Sequence, residues 1–371
     1  MNTRKILSIL FLALAVVSAL ALYRENNPTA RPAPAAEARH AMPIGKPVEI
    51  KAPLGLPAVP IPADNPPTLE TIALGRRLYY DPILSADKTI SCASCHGAAY
   101  GFADNKPFSE GVNKKLGGRN SPTVANAAYF TVQFWDGRVP SLEKQAEGPV
   151  ANPVEMSATL PQVEERLNAD PSYREQFAKA WGPGPITYEM VEKSIASFER
   201  TVLVADSPFD RWKYGHDEKA LSPAAKRGFI VFTSKNKGNC SACHLVGERY
   251  ALFTDNKFHN LGVGVDFGKF ADDGLFAVTH KESDRGLFKT PSLRNIATTA
   301  PYMHDGSVKD LKLAVDLYLG GGNSNVNLDK EIHALDFLTG QERADLLEFL
   351  NSLTGQIPPD LGPPEVKTAQ K

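Results

Sequence analysis

An excess of either charge is what this chain most clearly lacks: 41 Lys and Arg stand against 42 Asp and Glu, a formal net charge of −1. No basic block stands out, so nothing in it points to a nucleic-acid partner. Strong apolar–polar alternation is also missing, which leaves room for short hairpins but not for an extended sheet. Cysteine is scarce, with four among 371 residues. One stretch is poor in strong metal ligands, because neither His nor Met occurs between His96 and Met156. What is plentiful is apolar material, at 42% of residues, enough for buried cores in the two domains that this length suggests.

The ends of the chain read as export and linkage. A basic start is followed by an apolar run from Ile6 to Leu22, the pattern of an export signal, and Ala19-Leu20-Ala21 offers small residues for cleavage. The run is long for a signal core and short for a membrane span, so residues 1–22 are either a cleaved signal peptide or a retained anchor. Both place the body outside the cytoplasm, in the periplasm. Residues 23–66 are rich in Pro and Ala and predict a tether or an extended wrap, not a helix. Residues 358–371 form a second Pro-rich tail.

Four cysteines in an exported chain ordinarily read as two disulfides. Their spacing here points elsewhere. They form two units, Cys92-Ala-Ser-Cys95-His96 and Cys240-Ser-Ala-Cys243-His244. Cys-x-x-Cys-His is the attachment sequence of c-type haem: two thiols bind the vinyl groups and the adjacent His reaches the iron. A thioredoxin-like pair needs no following His, and a His beside its Cys cannot easily complete a zinc tetrahedron. Two covalently bound haems c are expected, which consumes all four cysteines.

Helical spacing covers Leu69–Tyr80, Pro161–Trp181, Tyr188–Val204, Pro223–Thr233, Leu311–Leu319 and Gln341–Leu353. Ser207-Pro208 reads as the end of the third, while Ser222 and Thr339 read as N-caps. Helix, loop and haem unit thus occur in that order twice. The expected fold class is mainly α, with two cytochrome c-like domains that each carry one covalently attached haem. The N-terminal domain is expected over 67–206 and the C-terminal domain over 207–357.

The sixth position on each iron decides function, since two strong ligands make a carrier and an open position makes a catalyst. The stretch between His96 and Met156 offers the first iron no strong sixth ligand. It does hold Gln133-Phe-Trp135-Asp-Gly-Arg138, then Gln145 and Glu155-Met156. An aromatic, an amide and a carboxylate beside an open iron suit peroxide chemistry, in which the carboxylate carries a proton between the two oxygens.

These runs, with Gln145-Ala-Glu-Gly-Pro-Val150, Thr290-Pro-Ser-Leu-Arg-Asn295 and Ala300-Pro-Tyr-Met-His-Asp-Gly-Ser307, resemble the bacterial di-haem cytochrome c peroxidase and MauG family over about residues 68–355. The resemblance implies that Glu155 is the acid–base glutamate, Gln145 the active-site glutamine and Trp135 the tryptophan between the haems. It implies a calcium ion bound by Asn120, Thr299 and Pro301, largely through carbonyl oxygens. Two departures stand out. Where many family peroxidases keep a His that caps the first iron until reduction, the matching position is near Val112. Where they use a Met on the second haem, fourteen residues after His304, this chain has Tyr318, as MauG-like members do. A tyrosinate favours ferric iron and lowers the potential relative to Met.

Other readings stay open at this point. Met303 and His304 compete with Tyr318 for the second iron. His259 and His280 read as ordinary polar residues or as contacts of the second haem. Arg138, Arg285 and Arg294 are each either partners of haem propionates or surface arginines. Lys106, Lys114 and Lys115 read as a solvated loop.

The expected function is a periplasmic peroxidase that reduces hydrogen peroxide, fed through the second haem by a small periplasmic donor such as a cytochrome c or cupredoxin. One alternative is a MauG-like oxidase that uses peroxide to oxidise residues of a partner protein. The other is a non-catalytic electron-transfer cytochrome. The family commonly dimerises, so a homodimer is among the expected states.

Overall fold

The computed structural model describes residues 41–364. The expected signal or anchor (1–22), residues 23–40 of the Pro/Ala stretch and residues 365–371 of the tail lie outside the described residues. From Met42 onward the described chain packs as one compact unit. The structure is mainly helical, and among the described residues no helix is long and apolar enough to cross a membrane.

Capping sets the helix starts. Thr68 and Thr71 form a capping box ahead of Leu69–Tyr80. Ser222 caps Pro223–Thr233, and Thr339 with Glu342 caps Gly340–Asn351. The helix Leu311–Leu319 matches its sequence reading, with Asp310 as its cap. Three readings are corrected and one helix is added. Pro161–Trp181 is two helices, Leu160–Ala169 and Pro171–Trp181, because the Asp170 carboxylate accepts from the Ser172 and Tyr173 N–H groups and restarts the chain there. The next helix stops at Glu199, and Val202 to Ala205 continue as buried non-helical chain. Ser207-Pro208 does not merely end a helix. It caps a short one, Pro208–Lys213, through a box with Asp210. Leu142–Ala151, hidden in the sequence by Gly148-Pro149, is helical behind Ser141.

Two helix crossings have the same construction. A Cβ on Gly75 would lie 1.8 Å from the Ser194 carbonyl oxygen, and one on Gly228 would lie 1.9 Å from that of Asp345. Each crossing therefore needs a residue without a side chain. Leu69–Tyr80 meets Tyr188–Glu199 at the first, and Pro223–Thr233 meets Gly340–Asn351 at the second. The apolar clusters around them divide along the chain. Tyr79, Phe102, Phe198 and Val202 pack together on one side, and Phe209, Phe232, Phe253 and Phe349 on the other.

Two small antiparallel strand pairs complete the fold, Phe258–His259 with Phe288–Lys289 and Val265–Asp266 with Lys269–Phe270. The Pro-rich segment takes the wrapped form wherever it is described. Ile44 N–H donates to Ala180 O, Val48 N–H to Pro67 O, and Gly55 O accepts from Ala251 N–H, while Leu56 and Asn65 are buried.

Candidate active site

Both Cys-x-x-Cys-His units form single tight turns, in which the His96 N–H donates to Cys92 O and the His244 N–H to Cys240 O, each at 2.9 Å. The rings are then fixed alike. His96 Nδ1 lies 2.9 Å from Pro122 O, and His244 Nδ1 lies 2.9 Å from Phe253 O. A carbonyl only accepts, so Nδ1 carries the hydrogen and Nε2 keeps its lone pair, the form in which imidazole binds a metal. Burial lowers the pKa of both histidines and keeps them neutral. None of the four cysteines is paired in a disulfide, and burial raises the Cys95 thiol to about 11 and the Cys240 thiol to about 12. Paired thiols with a neutral, backbone-oriented imidazole beside them fit two covalently held haems.

Around the first unit, Glu155 and Val112 come together. Val112 is 2% exposed and its N–H donates to Glu155 O at 2.8 Å. The Glu155 carboxyl is raised above its ordinary value, first by burial, against the Asn152 hydrogen bond and the nearby Arg138 charge. Asn152 Nδ2 donates to Glu155 Oε1 at 2.7 Å. The Glu155 charge in turn contributes to the raised pKa of Cys95, which places it beside the attachment turn. Gln145 sits on the helix Leu142–Ala151, which leads into the Glu155 loop.

Trp135 stands where the two cysteine units' surroundings meet. Its indole donates to Asn120 O at 2.9 Å, and its own carbonyl accepts from the Lys289 N–H at 2.8 Å. Asn120 is tied onward through its N–H to His304 O at 2.7 Å, and its Nδ2 donates to Lys106 O at 3.0 Å. Pro301 lines a cleft of about 680 Å³ with Pro107, Asp305 and Gly306. Thr299 lies nearby, against Gly101. The three residues expected to hold calcium thus border one junction.

Tyr318 lies near the second pair of cysteines. Burial first, then the Cys243 and Cys240 thiols, push its hydroxyl well above the ordinary tyrosine range. The residue nevertheless keeps 37% of its surface accessible. Tyr318 thus stands near the second pair of cysteines with part of its surface open to solvent. The competing His304 is engaged elsewhere: it is buried and stacked on Phe288, with ring centroids 3.7 Å apart and 12° between planes. His259 contacts the second unit, with Nδ1 3.8 Å from Cys243 Sγ, and Asp255 and Asp329 clamp it at 3.0 and 2.5 Å; the Cys243 contact first, then Asp329 and Asp255, raise its pKa to about 10 against burial. His280 caps a short helix against Phe276.

The three arginines weighed for propionates already have protein carboxylates. Arg138 pairs with Asp136 at 3.0 Å, and Arg285 pairs with Asp273 and Glu282. Arg294 is buried against Asp210 at 2.9 Å, and its NH2 also donates to Gly55 O. Sequence reasoning missed Asn152, whose only signal was its place three residues before Glu155. It also missed Lys289, which in Phe-Lys-Thr reads as a surface lysine and yet is buried. Lys106 and Lys114 stay on the exposed loop as expected, and Lys115 donates to Pro153 O there.

Residues 69–218 match the di-haem cytochrome c peroxidase family. The chain is 40% identical to the methylamine utilization protein MauG of Methylorubrum extorquens, over 81% of this chain and 82% of that one. It is 39% identical to the cytochrome c551 peroxidase of Pseudomonas aeruginosa, over 77% and 79%. In fold it is similar, with a TM-score of 0.75 and 34% identity, to the crystal structure of a MauG-like protein associated with microbial copper homeostasis, covering 82% of this chain and 95% of that one. Twice-repeated haem attachment units, a histidine oriented for iron in each and this depth of likeness lead to one placement: the chain belongs to the di-haem cytochrome c peroxidase family, oxidoreductases that take peroxide as acceptor.

Proposed function

We propose that this chain reduces hydrogen peroxide to water on the open side of a haem held by Cys92, Cys95 and His96. Two electrons and two protons per peroxide yield two waters. The electrons enter through a second haem held by Cys240, Cys243 and His244, from a small periplasmic cytochrome c or cupredoxin. The observation that carries the reading is the pairing of Val112 with Glu155. A buried valine, unable to bind iron, stands where a capping histidine is expected, and its loop is bonded to the one that carries a half-buried carboxyl of raised pKa.

When bound, the haem supplies the iron that polarises peroxide and passes electrons to it. Glu155 takes the proton from the near oxygen and returns it to the far one, a task suited to a carboxyl whose pKa is lifted toward neutrality. Asn152 holds that carboxylate in place. Gln145 orients the bound oxygens. Trp135 lies on the path between the haems, its indole fixed by the Asn120 carbonyl. Asn120, Thr299 and Pro301 hold a calcium ion that fixes the junction, oxygen donors being what calcium prefers. We further assign a periplasmic location, two domains parting near residues 206–208, and a homodimer as the working assembly.

A second reading has its own support in Tyr318, which lies near the second pair of cysteines and keeps 37% of its surface accessible. In that reading the reductant is an oxidisable residue of a partner protein, as in MauG-like members. Steady-state turnover of peroxide with a reduced small cytochrome c or cupredoxin tests the first reading. Fast, saturable oxidation of the donor supports it. Peroxide consumption with no donor oxidation overturns it in favour of the second. A fully low-spin ferric protein that ignores peroxide and cyanide overturns both.

A further inference from the structure

Charged groups at the meeting of the two helical groups are paired almost throughout. Arg119 makes a two-pronged contact with Asp272 at 2.6 and 2.8 Å and reaches Asp136 at 2.6 Å. Arg138, Arg285 and Arg294 have the carboxylates described above. Lys289 is the exception. It is 7% exposed, its Nζ lies 3.6 Å from the centroid of the Phe130 ring, and burial alone acts on its ammonium, which no carboxylate among the described residues balances. A phenyl ring offsets only a small part of what desolvating an ammonium costs, so a buried lysine of this kind calls for an anion.

Its position says where that anion comes from. Along the strand, Phe288 turns one way to stack on His304, and Lys289 turns the other way. The lysine belongs to the chain after Cys243, but its ammonium rests on Phe130, which packs with Leu142 and Ala196 of the first helical group. Its own N–H is bonded to the Trp135 carbonyl. The side chain therefore crosses from the second group into the first, beside the tryptophan.

We propose that Lys289 Nζ receives a propionate carboxylate of the haem held at His96, and that this ion pair raises the reduction potential of that haem. The proposal rests on the two-haem family placement and is independent of whether a cytochrome or a partner protein is the reductant. A cation beside the macrocycle stabilises the less positive ferrous state, so its loss lowers the potential. Lys289 is thus a positioning and tuning residue, not a catalytic one.

The test is a redox titration of the purified di-haem protein, each haem followed by its own absorption band, in Lys289→Met, Lys289→Gln and Lys289→Arg. Haem content per chain is checked first, and Lys289→Gln serves should the Met variant fail to mature. The expected result is a lower midpoint for the His96 haem in the Met and Gln variants, no change at the His244 haem, and a return toward the parent value with Arg. A purely structural role would lower the melting temperature without moving either midpoint. Unchanged midpoints in Met and Gln, a shift confined to the His244 haem, or failure of Arg to restore the value would each overturn the proposal.

Discussion

The Val112 N–H and the Glu155 carbonyl meet at 2.8 Å, joining the loop after the first haem unit to the loop that carries the carboxyl group. Restoring a histidine at this position checks what the valine leaves open. Val112→His is expected to turn part of the ferric high-spin signal low-spin and to slow cyanide binding until the protein is reduced. Val112→Ala removes bulk without adding a ligand and keeps the parent spectrum. Identical spectra and cyanide kinetics for the His variant and the parent would falsify the assignment of this residue to the open face.

Glu155 carries a pH dependence whose sign follows from its surroundings. Burial lifts its pKa above the ordinary 4.5, so the proton-accepting form accumulates only as pH rises past that value. Peroxide turnover should show an acidic limb displaced above an unperturbed glutamate's. Asn152→Ala removes a hydrogen bond that favours the ionised form, and the limb moves further up. Glu155→Gln abolishes the limb and lowers kcat/KM by about 10²–10⁴-fold, with the resting spectrum unchanged. Steady-state kinetics from pH 4 to 9 separates these outcomes.

On the reading that Tyr318 binds the second iron, Tyr318→Met exchanges a hard anionic donor for a soft neutral one. One haem's spectrum should change and its potential should rise, the other haem keeping both properties. Magnetic circular dichroism with potentiometry reads the two haems independently. Changes at neither haem would remove Tyr318 from the iron.

Glu199 tests the fold away from the chemistry. It is 4% exposed, its Oε2 lacks a hydrogen-bond partner, and burial raises its pKa to about 8 despite the neighbouring Arg200. The folded form holds this proton more tightly than the unfolded chain does. The resulting stability is fully present below about pH 4.5 and is lost as pH rises through about 8. Glu199→Gln keeps a neutral side chain throughout, so its advantage over the parent should grow across that window to roughly 2–5 kcal/mol. Denaturant unfolding at pH 5 and pH 9 measures it, and parallel curves for the two proteins would reject the assignment.

What the sequence could reveal depended on how local the cause was. The haem units were legible because covalent attachment forces Cys, Cys and His into five consecutive residues. Thr68, Ser222 and Thr339 gave away helix starts because a cap acts within one turn. Asp170-Pro171 was passed over because the apolar stripe runs across it, although a cap followed by Pro can also restart a helix. The matching of Tyr318 to Cys240 and Cys243, and the burial of Lys289 on Phe130, arise from chain segments far apart in sequence. No spacing rule reports them. Composition misled for Lys289, since lysine is nearly always solvated. Family likeness, rather than periodicity, singled out Glu155 and Gln145.

The Pro-rich wrap also bears on maturation. Gly55 O accepts from Arg294 NH2, which is itself locked to Asp210, and Ile44 N–H reaches Ala180 O. Those contacts make the segment a strap buckled to both helical groups. Proteolysis that leaves the body intact must therefore stop upstream of Ile44. Trimming past Gly55 would unfasten the Arg294 buckle and leave the Leu56 side chain's pocket open to water.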